Sequence, residues 1–129
     1  MVSEANRLNS NATFKLASAE SLPFPEQTAD IVLSSLSFHH WANQTKGLQE
    51  IVRVLLPRGL FCLADQTILL TKLFGGKVRS HNQIRALIIT AGLAVRQHQR
   101  LGMRFVLITL AQKLSSSPLY SLESKETAI

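Results

Sequence analysis

Leu48, Ile51, Val52 and Leu55 fall at i, i+3, i+4 and i+7, the repeat that lays one apolar stripe along a helix. The spacing predicts a helix that starts near Asn43 and closes near Pro57, with Gln49, Glu50 and Arg53 on its outer face. Residues 29–36 before it and 60–65 after it are nearly continuous apolar runs, the pattern of strands buried on both faces of a parallel sheet. Strand, helix, strand with a short turn predicts a βαβ unit with a parallel crossover.

Upstream, residues 12–17 alternate apolar and polar and read as a short strand, and the mixed first eleven residues read as a helix end or a loose leader. Leu22-Pro23-Phe24-Pro25 continues neither a helix nor a central strand, because each proline fixes φ and removes a donor. Downstream, Ser80 and Gln83 have capping-box spacing, Ile84, Leu87, Ile88 and Ala91 repeat the helical stripe, and Gly92 stands where a left-handed residue ends a helix. Residues 94–101 and 104–112 flank Gly102-Met103 and read as an antiparallel hairpin. The stretch 66–77, with Gly75-Gly76, reads as a mobile loop or short helix over a site, and the serine-rich stretch from Leu114 as a frayed tail.

Composition narrows the class. A chain of 129 residues with 46% hydrophobic content fits one globular domain, expected over residues 1–113 with a flexible tail at 114–129. Cys62 is the single cysteine, which excludes an intrachain disulfide and a cysteine-based zinc site and fits a reducing compartment. The start has no basic region followed by an apolar stretch, and no apolar run approaches bilayer length, so a cytoplasmic protein with no membrane span is expected.

The net charge is +6, and no acidic residue stands between Asp65 and Glu123. That interval carries Lys72, Lys77, Arg79, Arg85, Arg96, Arg100, Arg104 and Lys113. A solvated basic face is favoured over a nucleic-acid surface, because the bases are dispersed and no aromatic residues alternate with them as stacking platforms. His81 and His98 read as surface residues, and Cys62 as core packing.

Three stretches, in order, carry a family resemblance over about half the chain. They are Ala17-Ser18-Ala19-Glu20-Ser21-Leu22-Pro23-Phe24-Pro25, then Ala29-Asp30-Ile31-Val32 running to Phe38-His39-His40-Trp41, then Glu50-Ile51-Val52-Arg53-Val54-Leu55-Leu56-Pro57-Arg58-Gly59. Together they resemble the type 11 group of class I S-adenosylmethionine-dependent methyltransferases, similar to ubiquinone and menaquinone C-methyltransferases. The resemblance implies an α/β fold, a partial doubly wound (Rossmann-like) sheet of the class I methyltransferase type with a C-terminal antiparallel hairpin. It also implies S-adenosylmethionine as cofactor, a small-molecule or lipid-like methyl acceptor, and no metal.

By the same resemblance Ser18 and Ala19 sit in the loop beside the cofactor's adenine, Glu20 is a polar contact of that loop, and Ser35 lines the pocket at the end of its strand. Serine stands where aspartate or asparagine is usual, which implies weaker adenine binding. His39 and His40 follow the same strand, where a histidine near the acceptor can take a proton; the alternative is local hydrogen bonding while Trp41 packs. Adjacent histidines without a third ligand make a poor zinc site. Asp65, at the end of the next strand, serves either the site or loop capping.

Pro57-Arg58-Gly59 stands where Pro-Gly-Gly is usual, so a type II turn requires Arg58 at positive φ, at about 1 kcal/mol or more, and a type I turn does not. The family's glycine-rich loop and the acidic residue for the ribose hydroxyls have no counterpart. The expectation is a truncated domain whose strand edge at residues 31–36 exposes apolar side chains and unpaired backbone, open to a partner chain. Two readings compete with methyl transfer: an inactive remnant or interaction module, and an RNA-binding or RNA-methylating protein using the basic face.

Overall fold

The computed structural model describes residues 1–8, 11–66, 79–101 and 106–115. A short helix α1 (Val2–Leu8) is followed by strand β1 (Ala29–Ser35), a 3-10 turn (Phe38–His40), helix α2 (Gln44–Val54) and strand β2 (Leu55–Gln66). Helix α3 (His81–Thr90) and strands β3 (Leu93–Leu101) and β4 (Val106–Lys113) complete it. The sheet order is β1-β2-β4-β3, with β1 parallel to β2 and the other two pairs antiparallel. The parallel βαβ unit and the C-terminal antiparallel pair are therefore as the residue pattern predicts. The expectations for residues 66–77, the Gly102-Met103 turn and the tail lie almost wholly outside the described residues.

Each helix ends where its chemistry says it should. Asn43 caps α2 by accepting from the Lys46 amide at 3.0 Å. At the other end Lys113 donates to the carbonyls of Val52 and Leu55 at 2.7 and 2.8 Å, placing a cation on the negative end of the helix. Ser80 and Gln83 form the reciprocal capping box, and Gly92 leaves α3 at φ +101°.

α2 and α3 cover one face of the sheet. Leu48, Ile51, Ile84 and Ile88 from the helices meet Phe61, Leu63, Leu107 and Ala111 from β2 and β4, each at most 4% exposed. On the other face, Leu33 pairs with Cys62 and Cys62 with Leu110. There Ile31 and Leu33 are 63% and 67% exposed at the β1 edge, with Leu36 also exposed just beyond it, which is the apolar edge expected from the sequence.

Two strand expectations need correction. Residues 12–17 form no strand; Phe14 instead has both backbone groups held by the Asn6 amide, at 2.7 and 2.9 Å. The residues alternate, but among the described residues no neighbouring strand stands beside them to complete a ladder. β2 also begins at Leu55 and not near Leu60. Ala29 pairs with Leu55 and Ile31 with Leu60, so the Pro57 turn is an irregularity carried inside the strand. Arg58 takes φ +66° there, the conformation of the third residue of a type II turn. Gly59 follows because a Cβ would lie 2.8 Å from the Leu56 carbonyl oxygen and 3.2 Å from that of Asp30.

His81 and His98 are half-buried and not surface residues, between α3 and β3. His98 Nδ1 meets Thr109 Oγ1 at 2.7 Å, Arg100 donates to His81 Nδ1 at 2.8 Å, and the two rings stand edge to face at 6.0 Å. Burial lowers both imidazoles below their ordinary 6.5, helped by Arg100 and His98 at His81, and by Arg85 and Arg100 at His98. The unfolded chain takes up these protons first. Stability is therefore fully present above about pH 6.5 and falls as the pH drops toward the lowered values. Urea titrations at pH 7.5 and 5.5 should show a lower midpoint in acid, and His98→Gln should shrink that difference.

Candidate functional site

β1 ends in a sharp bend that builds a cleft. Leu36 is held at φ +52°, its amide donating to the Ala64 carbonyl at 2.7 Å, so the chain turns away from the sheet directly after Ser35. Ser34 and Ser37 hydroxyls meet across the bend at 3.0 Å, and the 3-10 turn closes with His40 N–H on Ser37 O and Trp41 N–H on Phe38 O. Trp41 packs edge-on to Phe38 at 5.0 Å and lies against Gly47 of α2, where a Cβ would come within 2.5 Å of the indole.

Between this turn and the loop before β1 is an open cleft of about 320 Å³. Ala17, Ala19 and Leu22 form its loop wall, Val32 to Ser35 its floor, and Ser37, Trp41 and Ile51 the opposite side. It stands at the carboxyl end of β1, where open α/β sheets bind ligands. Its mixture of apolar walls and three serines suits a flat, partly polar molecule.

The loop wall is fastened to α2 at three levels. Glu20 Oε1 accepts from the Asn43 amide at 2.7 Å, and the Gln27 and Thr28 amides donate to Arg53 O and Val54 O. Between these, Glu50 Oε2 accepts from the Leu22 amide at 2.9 Å, and Arg53 donates to the carbonyls of Leu22 and Phe24. Arg53 beside it, and then the Leu22 amide, hold the Glu50 carboxyl down to about 2. The carboxylate is thus charged throughout the neutral range.

The structure brings Ala19 and Ser35 to the cleft. Ser18 stands next to it and shares its hydroxyl with the Glu20 carboxylate and amide at 3.2 Å, while Glu20 ties the loop to α2. The two histidines do not line the cleft. His39 is buried against Asp65, 2.5 Å from Nδ1 to Oδ1, and Asp65 also accepts from the amides of His39 and Gln66. A carboxylate accepting three times leaves the proton on Nδ1. His40 is exposed, its ring 4.0 Å from that of His39.

The sequence pattern placed Glu50 and Arg53 on the outer face of the helix and did not single out Gly47. A carboxylate and a guanidinium one helical turn apart, following a loop whose two prolines leave its backbone without a ladder, were the available signal.

A family model described as a methyltransferase domain matches residues 1–63. The chain is similar to the uncharacterized methyltransferase YcgJ of Bacillus subtilis, 40% identical over 55 residues, or 43% of this chain and 22% of that one. It is 30% identical over 81 residues, 63% of this chain and 31% of the other, to the ubiquinone/menaquinone biosynthesis C-methyltransferase UbiE of Geobacter sulfurreducens. A shorter match, 53% over 47 residues, is to the mitochondrial arginine-hydroxylase NDUFAF5 of Rattus norvegicus, covering 36% of this chain and 13% of that one. The chain thus spans less than a third of the length of these relatives. Among solved structures, an S-adenosylmethionine-dependent methyltransferase from Mesorhizobium loti superposes with a TM-score of 0.76 at 13% identity, covering 88% of this chain and 76% of the other.

Proposed function

We propose that the chain carries the carboxyl-terminal part of a class I S-adenosylmethionine-dependent methyltransferase domain of the type 11 group and serves methyl transfer to a small-molecule or lipid-like acceptor, a reading supported by the methyltransferase-domain match over residues 1–63 and by the similarity to YcgJ and UbiE. The observation that carries this reading is the cleft at the end of β1, lined by Ala19 and Ser35. S-adenosylmethionine is the cofactor of the family, and the cleft's chemistry fits its adenine side. Apolar walls from Leu22, Val32 and Trp41 suit a flat ring, and the Ser35 and Ser37 hydroxyls suit its polar rim.

When bound, the cofactor supplies an electrophilic methyl group. The chain's own residues bind and orient. The Ser18-Ala19 loop and Ser35 hold the adenine side, Trp41 and Leu22 exclude water from it, and the 3-10 turn fixes the far wall. His39 keeps that turn in place through Asp65. His40, exposed on the same turn, is the histidine able to accept a proton from an acceptor that must lose one. The open edge of β1 favours a further strand pairing there, from the same polypeptide or from a partner.

Calorimetric titration of residues 1–129 with S-adenosylmethionine tests the reading. The expected result is saturable binding that Ser35→Trp abolishes by filling the cleft. A cooperatively folded chain that takes up no heat would remove the autonomous-enzyme reading.

A further inference from the structure

We propose that Glu50 and Arg53 are positioning residues that hold the loop wall of the cleft and thereby set its affinity for ligand, a proposal that rests on the cleft being the cofactor site. Leu22 is the loop residue that both lines the cleft and packs against the core. Pro23 and Pro25 beside it carry no N–H, and among the described residues no strand lies alongside to take up the loop's backbone groups. The Glu50–Arg53 pair replaces that strand. Glu50 Oε2 takes the Leu22 N–H at 2.9 Å, and Arg53 Nη2 gives to the Leu22 carbonyl at 3.2 Å, so both backbone groups of one residue are satisfied by two side chains.

The pair is itself rigid. Arg53 Nε and Nη2 each meet a different Glu50 oxygen at 2.8 Å, the two-pronged geometry that only a guanidinium supplies. Its remaining nitrogen, Nη1, reaches the Phe24 carbonyl at 2.9 Å. One planar group therefore fixes the carboxylate and two carbonyls of the loop. A lysine can pair with Glu50 from the same position on the helix, but a single ammonium cannot span all three partners.

The test compares Arg53→Lys and Glu50→Ala with Gln49→Ala, an exposed control on the same helix. Three quantities are read: the thermal midpoint, the hydrogen-exchange rate of the Leu22 amide, and the dissociation constant for S-adenosylmethionine. The expected result for Arg53→Lys is a midpoint within about 2 °C of the parent, Leu22 exchange faster by tenfold or more, and S-adenosylmethionine binding weaker by about tenfold. Glu50→Ala should speed Leu22 exchange further, and Gln49→Ala should change nothing. Unaltered Leu22 exchange in both variants would overturn the proposal, even if the midpoint fell. If the parent chain binds no S-adenosylmethionine, the reading of the cleft and the affinity half of the proposal fail together, while Leu22 exchange still decides the clamp.

Discussion

Asp65→Ala should destabilise the fold by about 3–5 kcal/mol, because three donors lose one acceptor and each buried donor left unsatisfied costs about 1–3 kcal/mol. Asp65 is 1% exposed and accepts from His39 Nδ1, the His39 amide and the Gln66 amide. Alanine leaves all three donors without their protein acceptor. A change of this size is a large part of the whole stability of a small domain and should appear as a shift of roughly 10 °C or more in the thermal midpoint. Asp65→Asn keeps one acceptor oxygen and should fall between. A loss below about 1 kcal/mol for the alanine variant would mean that the turn after β1 is held by something other than Asp65.

Gly47→Ala is the second large effect, and it acts on the cleft directly. The new methyl would meet Trp41 Cε3 at 2.5 Å and Cζ3 at 2.7 Å, so the ring must move. Overpacking of this kind costs about 1–3 kcal/mol, and the displaced ring takes one wall of the cleft with it. S-adenosylmethionine affinity should fall by about tenfold or more, a 1 Å misplacement of a positioning group being enough for such a loss. Trp41 is the single tryptophan of the chain, so its fluorescence reports the movement without a label. A red-shifted emission with weakened binding is expected. An unchanged spectrum would mean that α2 itself yields and that the indole is not pinned by Gly47.

Much of this architecture was legible in the chain, and the reason is local. The stripe of Leu48, Ile51 and Leu55, the Ser80–Gln83 box and the left-handed Gly92 each depend on residues within a turn or two of one another. The φ of Arg58 was not settled this way, since Pro57 opens a type I or a type II turn equally well and only the second places Arg58 at the positive φ observed. The strand expected over residues 12–17 was not settled locally, because alternation describes a face and a ladder needs a neighbour.

The site divides along the same line. Ala19 and Ser35 were placed by the family resemblance that their short stretches carry, and both line the cleft. The partnership of His39 with Asp65 spans 26 positions and that of Leu22 with Glu50 spans 28, so no window of sequence contains either. The two adjacent histidines therefore differ in surroundings in a way their sequence does not show. One is bound to a buried carboxylate, and its neighbour is exposed.

The sheet order also carries a consequence for how the chain is made. β4 lies between β2 and β3, although it is the last of the four strands in the sequence. During synthesis β1, α2 and β2 leave the ribosome first, and the edge of β2 that β4 will occupy stays open. The intervening stretch of about 40 residues takes roughly 2–8 s to translate at ordinary rates. For that interval Phe61 and Leu63 lack the Leu107 and Ala111 side chains that later seal them. The nascent chain thus presents a sticky parallel pair on a timescale long enough for chaperone capture or for mispairing with a neighbouring chain, and slower translation of that stretch lengthens the window.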